Sequence, residues 1–170
     1  MLELQQAGMA DVDELVRLWR ETFIAAYADV HSLENLQAYG AEHYTPAVAA
    51  NVLSDEQVVC MIARRQDEPK GLYVLKHHPC PIALEGSASE LKQLYILASE
   101  YGTGLGRTLF DHAAQTARDA AKKWLWLCVS DINYRAQAFY KKVDMEPKGV
   151  GPVLYVGTDR LSSTVMACRL

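Results

Sequence analysis

The sequence lacks the features that mark several classes of protein. It has few cysteines for its 170 residues, and they lie far apart with no Cys-x-x-Cys pair, at Cys60, Cys80, Cys128 and Cys168. This spacing excludes a disulfide framework and is typical of reduced thiols, mostly in buried strands. Two histidines, His77 and His78, precede Cys80, but no second ligand pair with zinc spacing follows them. No metal site is therefore predicted.

The chain also lacks an excess of positive charge and a long apolar run. Lys and Arg number 17 against 21 Asp and Glu, a net charge of −4, so a nucleic-acid-binding surface is not expected. Such a balance tolerates a cationic substrate without being evidence for one. Asp11, Asp13 and Glu14 interrupt the N-terminal region before any stretch long enough for a signal peptide or a membrane span. We therefore expect a cytoplasmic protein with no membrane association.

The length and composition predict one folded domain. With 50% hydrophobic and 22% charged residues, nothing indicates disorder. No internal repeat, low-complexity segment or linker divides the chain, so residues 1–170 are expected to share one core.

The most informative segment present is a glycine-rich turn between a strand-like run and a helix. The run at 91–97 is apolar and partly aromatic, and apolar residues after Leu105 recur mostly every four positions, as on a helix with one buried face. Three glycines let the backbone curl between the two elements, so that N–H groups and the positive end of the helix dipole converge on an anion. Arg107 adds a positive charge. The segment predicts a phosphate site.

The glycine spacing separates the kinds of phosphate site. The chain contains no Gly-x-x-x-x-Gly-Lys-Ser/Thr string, which a P-loop requires. After Gly102 and Gly104, the last position of a dinucleotide fingerprint holds Arg107 instead of Gly or Ala. What remains is Gly104-x-Gly106, three residues after Tyr101.

A second segment, 133–140, follows another buried-strand run at 124–129. It reads Asn133-Tyr-Arg-Ala136-Gln-Ala-Phe139-Tyr140. Taken alone, Phe139 and Tyr140 would be core aromatics of an ordinary helix, with Asn133 near its cap.

Together, the two segments resemble the GCN5-related N-acetyltransferase superfamily. The turn matches the superfamily's Gln/Arg-x-x-Gly-x-Gly/Ala loop at both glycines and departs from it at Tyr101, and the second segment matches Asn-x-x-Ala-x-x-Phe-Tyr. The resemblance implies an α/β (α+β) fold, with a mixed, mostly antiparallel sheet of about seven strands flanked by about four helices. Two neighbouring parallel strands are expected to splay apart.

The resemblance implies acetyl-CoA as the cofactor. The pantetheine arm would pair with the strand ending at 96–98, the diphosphate would reach the turn, and Asn133 would face the pantetheine. The implied cofactor-binding residues are Ile96, Leu97, Ala98, Tyr101, Gly102, Thr103, Gly104, Leu105, Gly106, Arg107, Thr108, Asn133, Ala136 and Tyr140.

The implied reaction is acyl transfer from a thioester to an amine. Tyr140 is the implied acid, because a phenol of pKa about 10 is a competent donor to a thiolate whose conjugate acid has a pKa of about 8.5. Glu90 stands where some members keep a glutamate that accepts the amine's proton through water. A solvated glutamate at a strand start is an equal interpretation of Glu90, and a water chain alone is a further alternative.

The sequence indicates the identity of the amine acceptor less clearly than it indicates the cofactor or the reaction. Positions 22, 23, 27, 90–95, 155–159, 165 and 166 are loosely similar to the polyamine (spermine/spermidine) acetyltransferase branch, which implies a primary amine of a small molecule. Glu21, Asp29 and Glu34 are candidate carboxylates for it, although each is also a typical surface residue. A homodimer is common in such families.

Three alternatives remain open. One is a non-catalytic acyl-CoA-binding regulatory module, and another is acetylation of a protein or peptide amine. The third is a nicotinamide-dependent oxidoreductase, for which Asp131 stands about 25 residues after Gly106, near the spacing of a ribose-binding acid.

Local patterns predict further elements. Asp11 and Glu14 form a capping-box pattern for the first helix, and a helical region at 32–53 is broken at Thr45-Pro46. A hairpin is expected from 57–65 and 71–77 around a turn at 66–70. The last strands are expected at 152–156 and 164–169. Asp144 stands where relatives often end the helix with glycine, and it is expected to adopt a left-handed conformation.

Overall fold

Seven strands of the chain form one sheet, and a computed structural model describes all 170 residues. The sheet runs in the order β1-β2-β3-β4-β5-β9-β6, and β7 and β8 form a separate two-stranded ribbon. The strands are β1 (Leu2–Gln6), β2 (Val58–Arg65), β3 (Glu68–Lys76), β4 (Ala88–Ile96), β5 (Trp124–Ser130), β6 (Glu146–Val150), β7 (Leu154–Val156), β8 (Asp159–Leu161) and β9 (Ser163–Arg169). The helices are α1 (Val12–Tyr27), α2 (Leu33–His43), α3 (Pro46–Ser54), α4 (Leu105–Asp119) and α5 (Tyr134–Lys142).

The pairing of β4 with β5 positions the site. Every other pair of neighbours in the sheet is antiparallel, whereas these two strands are parallel and pair only from Ala88–Glu90 to Trp124–Trp126. Beyond that point β4 continues to Ile96 without a partner on its β5 side. The predicted mostly antiparallel sheet of seven strands with a splay between parallel strands is confirmed.

Both faces of the sheet are covered by helices. On the α4 face, Leu91, Leu125 and Leu127 pack with the inner side of α4, and α5 lies against the same core. On the α1 face, Ile62, Leu72 and Trp19 belong to a second core that includes α2 and α3. Burial on both sides explains why these strands read as apolar runs.

The predicted break at Thr45-Pro46 is confirmed. The Thr45 hydroxyl accepts the N–H of Val48 at 3.2 Å, and Pro46 is the first residue of α3. The break divides the helical region in two, so the fold has five helices where about four were expected.

Two local predictions are corrected by the structure. Asp11 does not cap α1 with its side chain: its carboxylate accepts the N–H of Gly8 at 2.8 Å across a short 3-10 turn. The β2–β3 turn is shorter than predicted, because Gln66 and Asp67 both have positive φ (52° and 62°). Such a two-residue turn matches the twist of the strands, so β3 already begins at Glu68.

The C-terminal region holds more strands than expected. The segment Glu146–Val150 pairs with β9 as the last strand of the sheet, although it contains Pro147 and Gly149. β6 pairs on one side only, and a strand at the edge of a sheet tolerates proline. Its proline and glycine give the sequence the pattern of a loop. The predicted strand at 152–156 shrinks to β7, which pairs with β8 outside the sheet.

Asp144 ends α5 as predicted. Its φ is +63°, the left-handed conformation that reverses the chain after a helix. Met145 follows it into the α4-face core with 2% exposure. None of the five helices combines the length and apolar character needed to cross a membrane.

Candidate active site

The splay between β4 and β5 opens a cleft of about 680 Å³ that reaches from α5 to the inner end of α1. The unpaired part of β4, residues 91–96, forms one wall, and Cys128 and Val129 of β5 contribute to the other. One end of the cleft lies at the glycine-rich turn and the N-terminus of α4. The other end lies beside Thr22, Ala26 and Tyr27 of α1.

The glycine-rich turn presents unpaired backbone donors. Gly102 and Gly104 have φ of +80° and +87°, and a Cβ at either would have no neighbour within 4 Å. Their conformation, rather than crowding inside the chain, is what requires glycine. The N–H groups of Gly102, Gly104, Gly106 and Arg107 have no partner in the chain, and that of Leu105 contacts only the Thr103 hydroxyl, at 3.4 Å. Free N–H groups at a helix N-terminus form an anion site.

The charges around the turn favour an anion. Arg107 lies in the first turn of α4, next to the glycine-rich turn, and Arg135 contacts Tyr101. Lys92 and Lys142 also line the cleft. Arg107 is paired with Asp111 of its own helix at 2.8 Å. The only carboxylate that lines the cleft is Glu100, and it is paired with Arg65 at 3.4 Å.

Arg135 is a residue that the motifs did not identify. Its guanidinium lies 4.0 Å from the ring centroid of Tyr101 and donates to the Tyr101 hydroxyl at 3.1 Å. Tyr101 is the position where the chain departs from the Gln/Arg of the loop pattern. That departure was the one sign in the sequence that a polar side chain from another segment lies at this position.

Tyr140 lines the middle of the cleft on α5. Its ring packs against Phe139 with centroids 5.3 Å apart, and Phe139 contacts Phe110 of α4 at 6.2 Å. Burial, and secondarily the nearby Tyr27, raises the pKa of the Tyr140 phenol above its ordinary value of 10.0. The side chain is therefore a neutral phenol at physiological pH.

Asn133 and Tyr27 form a contact that links the start of α5 to the end of α1. The Asn133 side chain caps α5 by accepting the N–H of Ala136 at 3.1 Å, and its Nδ2 donates to the Tyr27 hydroxyl at 3.3 Å. The sequence motifs name Asn133 and Ala136 but give no sign that α1 supplies a polar group here.

Glu90 lies beside the cleft and is not part of its lining. It pairs across the last parallel position with Trp126. Its half-buried carboxylate contacts Nε2 of His78 at 2.5 Å and lies 3.8 Å from Nζ of Lys92. Lys92 itself lines the cleft, so Glu90 contacts a residue of the cleft wall without lining the cleft itself.

The structure brings most, but not all, of the predicted cofactor residues together. Those that line the cleft are Ile96, Tyr101, Gly102, Gly104, Gly106, Arg107, Asn133, Ala136 and Tyr140. Those that do not are Leu97, Ala98, Thr103, Leu105 and Thr108. The strand ends at Ile96, Leu97 packs on the α1-face core and Leu105 is buried on the α4 face. Thr103 and Thr108 already use their N–H groups within the turn.

The candidate acceptor carboxylates also lie outside the cleft. Glu21, Asp29 and Glu34 are exposed on α1, the following loop and α2. Asp131 is likewise outside it, and accepts a hydrogen bond from Thr164 at 2.7 Å. Asp131 therefore has a structural partner rather than a ribose to bind.

Comparison with known proteins identifies the family. The model of the acetyltransferase (GNAT) family matches residues 12–145, which include the turn, the cleft and α5. The chain is a member of this family. It is accordingly an N-acetyltransferase, with acetyl-CoA as its acyl donor.

This GNAT enzyme is similar in sequence to two named relatives and in structure to a third protein. An uncharacterised N-acetyltransferase of Mycobacterium tuberculosis is 29% identical over 141 residues, covering 83% of this chain and 86% of the relative. Streptothricin acetyltransferase of Streptomyces lavendulae is 32% identical over 68 residues, 40% of this chain and 36% of the relative. The PaiA N-acetyltransferase of Thermoplasma acidophilum, solved in complex with coenzyme A, has a TM-score of 0.85 at 19% identity, with 100% and 99% of the two chains covered.

Proposed function

We propose that this GNAT enzyme transfers an acetyl group from acetyl-CoA to a primary amine of a small molecule by direct attack when both are bound. The observation that carries the proposal is one cleft that joins free N–H groups at the turn to a neutral phenol, Tyr140, and then to the end of α1. A thioester is already activated. The protein therefore has to position the amine, remove its proton and supply a proton to the departing sulfur.

The cleft fits acetyl-CoA in two places. The edge of β4 from 91 to 96 has no strand partner on its β5 side and is free to pair with the amides of a pantetheine arm. The free N–H groups of the turn suit the diphosphate. Tyr140 lies between the α1 end and the turn, where it would deliver a proton to the CoA sulfur.

Glu90 remains our proposed route for the amine's proton. Its carboxylate is next to Lys92 at the cleft wall and is held by His78, so it would act through water rather than by touching the amine. A primary amine has a pKa near 10, so it has to lose a proton before it can attack the thioester. The Glu90 carboxylate would receive that proton through water.

Direct attack is favoured because the cysteine of the cleft is a poor nucleophile. Cys128 lines the cleft, but burial, with smaller contributions from Glu90 and Cys80, raises the pKa of its thiol to about 11. Only about one thiol in a thousand is then ionised at pH 8, and the thiolate is the nucleophile.

We expect Cys128→Ser to retain acetyl transfer within about threefold, because the thiol takes no part in the reaction. Mass spectrometry of the wild-type protein after incubation with acetyl-CoA alone is expected to show no acetylated protein. An acetyl group on Cys128 that an added amine then removes would overturn direct attack.

The small-molecule acceptor is proposed from the α1 end of the cleft. Thr22, Ala26 and Tyr27 line it, and the exposed carboxylates Glu21, Asp29 and Glu34 lie on α1, the following loop and α2. These carboxylates would attract a polyamine to the entrance without entering the cleft. One relative is also named for a small molecule, streptothricin.

A panel of amines tests this proposal by release of the CoA thiol. We expect spermidine to be acetylated, with an apparent KM that rises as ionic strength rises, because exposed charges are screened over about 8 Å at physiological salt. Glu21→Gln/Glu34→Gln is expected to remove most of that salt dependence. Efficient acetylation of a peptide N-terminus, with spermidine ignored, would contradict the small-molecule assignment and leave acyl transfer intact.

Arg135 is proposed to bind a phosphate of coenzyme A. Its guanidinium rests on Tyr101 and forms no salt bridge in the chain, so most of its donors are free at the phosphate end of the cleft. We expect Arg135→Ala to raise the Kd for CoA by roughly tenfold, in line with loss of one charge-assisted contact. Calorimetry with CoA and 3′-dephospho-CoA identifies the phosphate. If Arg135→Ala loses affinity for CoA alone, Arg135 binds the 3′-phosphate; if it loses affinity equally for both ligands, Arg135 binds the diphosphate. An unchanged Kd for both would contradict the contact.

A further inference from the structure

Tyr27 is a polar residue of the cleft that lies outside the turn and the α5 motif. It ends α1 and lies 106 positions from Asn133, yet Asn133 Nδ2 is 3.3 Å from its hydroxyl. Phe23 packs against its ring at 5.0 Å and His31 at 5.8 Å. His31 is itself buried and held by Asp159 at 2.6 Å. The ring is thus fixed in the cleft wall by Phe23 of α1, by His31 of the following loop and by Asn133 at the start of α5.

The cap of α5 fixes the direction of the Tyr27 hydrogen bond. Because Oδ1 of Asn133 accepts the N–H of Ala136 at 3.1 Å, the amide has one orientation, and its Nδ2 faces Tyr27. An amide nitrogen donates and does not accept. The Tyr27 oxygen is therefore the acceptor, and its own proton is not used in this contact. Since Tyr27 lines the cleft, that proton is available there.

The electrostatic surroundings keep the Tyr27 proton in place. Burial raises the pKa of the Tyr27 phenol, and the Asn133 contact lowers it by less. The one carboxylate that lines the cleft, Glu100, is paired with Arg65 and accepts from Thr103. Two of the four tyrosines that line the cleft have other partners: Tyr95 interacts with Tyr44, and Tyr101 accepts from Arg135. The other two, Tyr27 and Tyr140, are neutral phenols with no unpaired carboxylate in the cleft lining to take a proton from either.

We propose that Tyr27 is a second hydrogen-bond donor of the reacting centre, directed at the carbonyl oxygen of the acetyl group, and that Asn133 acts by orienting Tyr27 rather than by binding the coenzyme. This inference rests on the acetyl-transfer function proposed above. As the amine attacks, negative charge grows on the carbonyl oxygen, and a donor already in place there lowers the barrier. Tyr140 then serves the sulfur and Tyr27 the oxygen. Asn133 is a positioning residue.

Tyr27→Phe removes the donor and keeps the ring. We expect kcat to fall roughly a hundredfold, as for loss of one such donor, while the Kd for CoA stays within twofold. Tyr39→Phe is the matched control: Tyr39 stacks on the same Phe23 at 4.6 Å but does not line the cleft. It is expected to retain full kcat.

Asn133→Asp reverses the contact while it keeps the cap. The remaining carboxylate oxygen accepts instead of donating, so the Tyr27 proton turns out of the cleft towards it. We expect the kcat loss of Tyr27→Phe to be reproduced, and the double variant Tyr27→Phe/Asn133→Asp to be no slower than either single variant. Asn133→Ser retains a capping hydroxyl, is too short to reach Tyr27, and is expected to bind CoA as the wild type does.

Carbon-13 NMR of bound acetyl-CoA labelled at the carbonyl tests the inference without any acceptor. A hydrogen bond to the oxygen moves the carbonyl resonance downfield. We expect a downfield shift in the wild type and in Tyr39→Phe, and its loss in Tyr27→Phe and Asn133→Asp. An unchanged shift in Tyr27→Phe would overturn the role of Tyr27. A tenfold higher Kd for CoA in Asn133→Ser would show that Asn133 binds the coenzyme. If no amine is acetylated, the proposed function fails while these two results still decide the contact.

Discussion

Replacing Tyr140 by Phe is expected to lower kcat by roughly ten- to a thousandfold, the contribution of one general acid or of its orientation. The substitution removes only the hydroxyl. The ring remains packed on Phe139 at 5.3 Å, so the fold and the affinity for acetyl-CoA are expected to survive. Stopped-flow or steady-state release of the CoA thiol gives kcat, and calorimetry gives the Kd.

The pH profile distinguishes an acid from a packing residue. The donor form of Tyr140 is the protonated phenol, and burial raises its pKa above 10.0. The protonated phenol is thus present at every pH below that raised pKa. It loses its proton at a more alkaline pH than an ordinary tyrosine does. Wild-type activity is expected to rise as the amine loses its proton and to show no decline near pH 10. Unchanged turnover of Tyr140→Phe, with chemistry shown to be rate-limiting, would make Tyr140 a packing residue.

Replacing Gly104 by Val is expected to abolish measurable binding of acetyl-CoA. Gly104 has φ of +87° at the start of α4, a conformation that a β-branched residue adopts only with strain. Its side chain would also stand in the open space at the turn, where the diphosphate is proposed to lie. Wild-type protein at a ligand concentration of 100 times Kd gains about 2.7 kcal/mol, which is roughly 5 to 10 °C in Tm for a domain of this size. We expect no such shift in the variant.

Gly86→Ala separates strain from ligand exclusion. Gly86 also has positive φ (+119°), and an added Cβ there would lie 2.6 Å from Cδ of the flexible Lys123 side chain. It does not line the cleft. We expect Gly86→Ala to lower the Tm of the free protein and to retain the full shift with acetyl-CoA. A folded Gly104→Val that still shows the full shift would contradict the placement of the diphosphate.

The buried part of the fold was the part that the sequence predicted best. The runs 91–97 and 124–129 became β4 and β5, and the glycine turn led into α4, because burial imposes apolar periodicity directly on the sequence. β6 was missed because Pro147 and Gly149 are tolerated where a strand has one partner. The short β2–β3 turn was missed because Gln66 and Asp67 adopt positive φ without the glycine that usually signals it.

The site was predictable where its residues are close in sequence. The turn and α5 each carry a local pattern, whereas Tyr27 meets Asn133 across 106 positions, and no spacing within α1 marks that contact. Arg135 was detectable only through Tyr101, which stands where the loop pattern has Gln or Arg. Glu90 lies outside the cleft lining because it is in the part of β4 that still pairs with β5, opposite Trp126, whereas the cleft wall begins at Leu91.

Initial rates over a grid of acetyl-CoA and amine concentrations, with the products identified by mass, test the central claim most directly. We expect the lines of a double-reciprocal plot to intersect, one N-acetylated amine to form for each CoA released, and the protein itself to carry no acetyl group. Binding of acetyl-CoA without CoA release from any amine, or parallel lines with an acetylated protein, would contradict it.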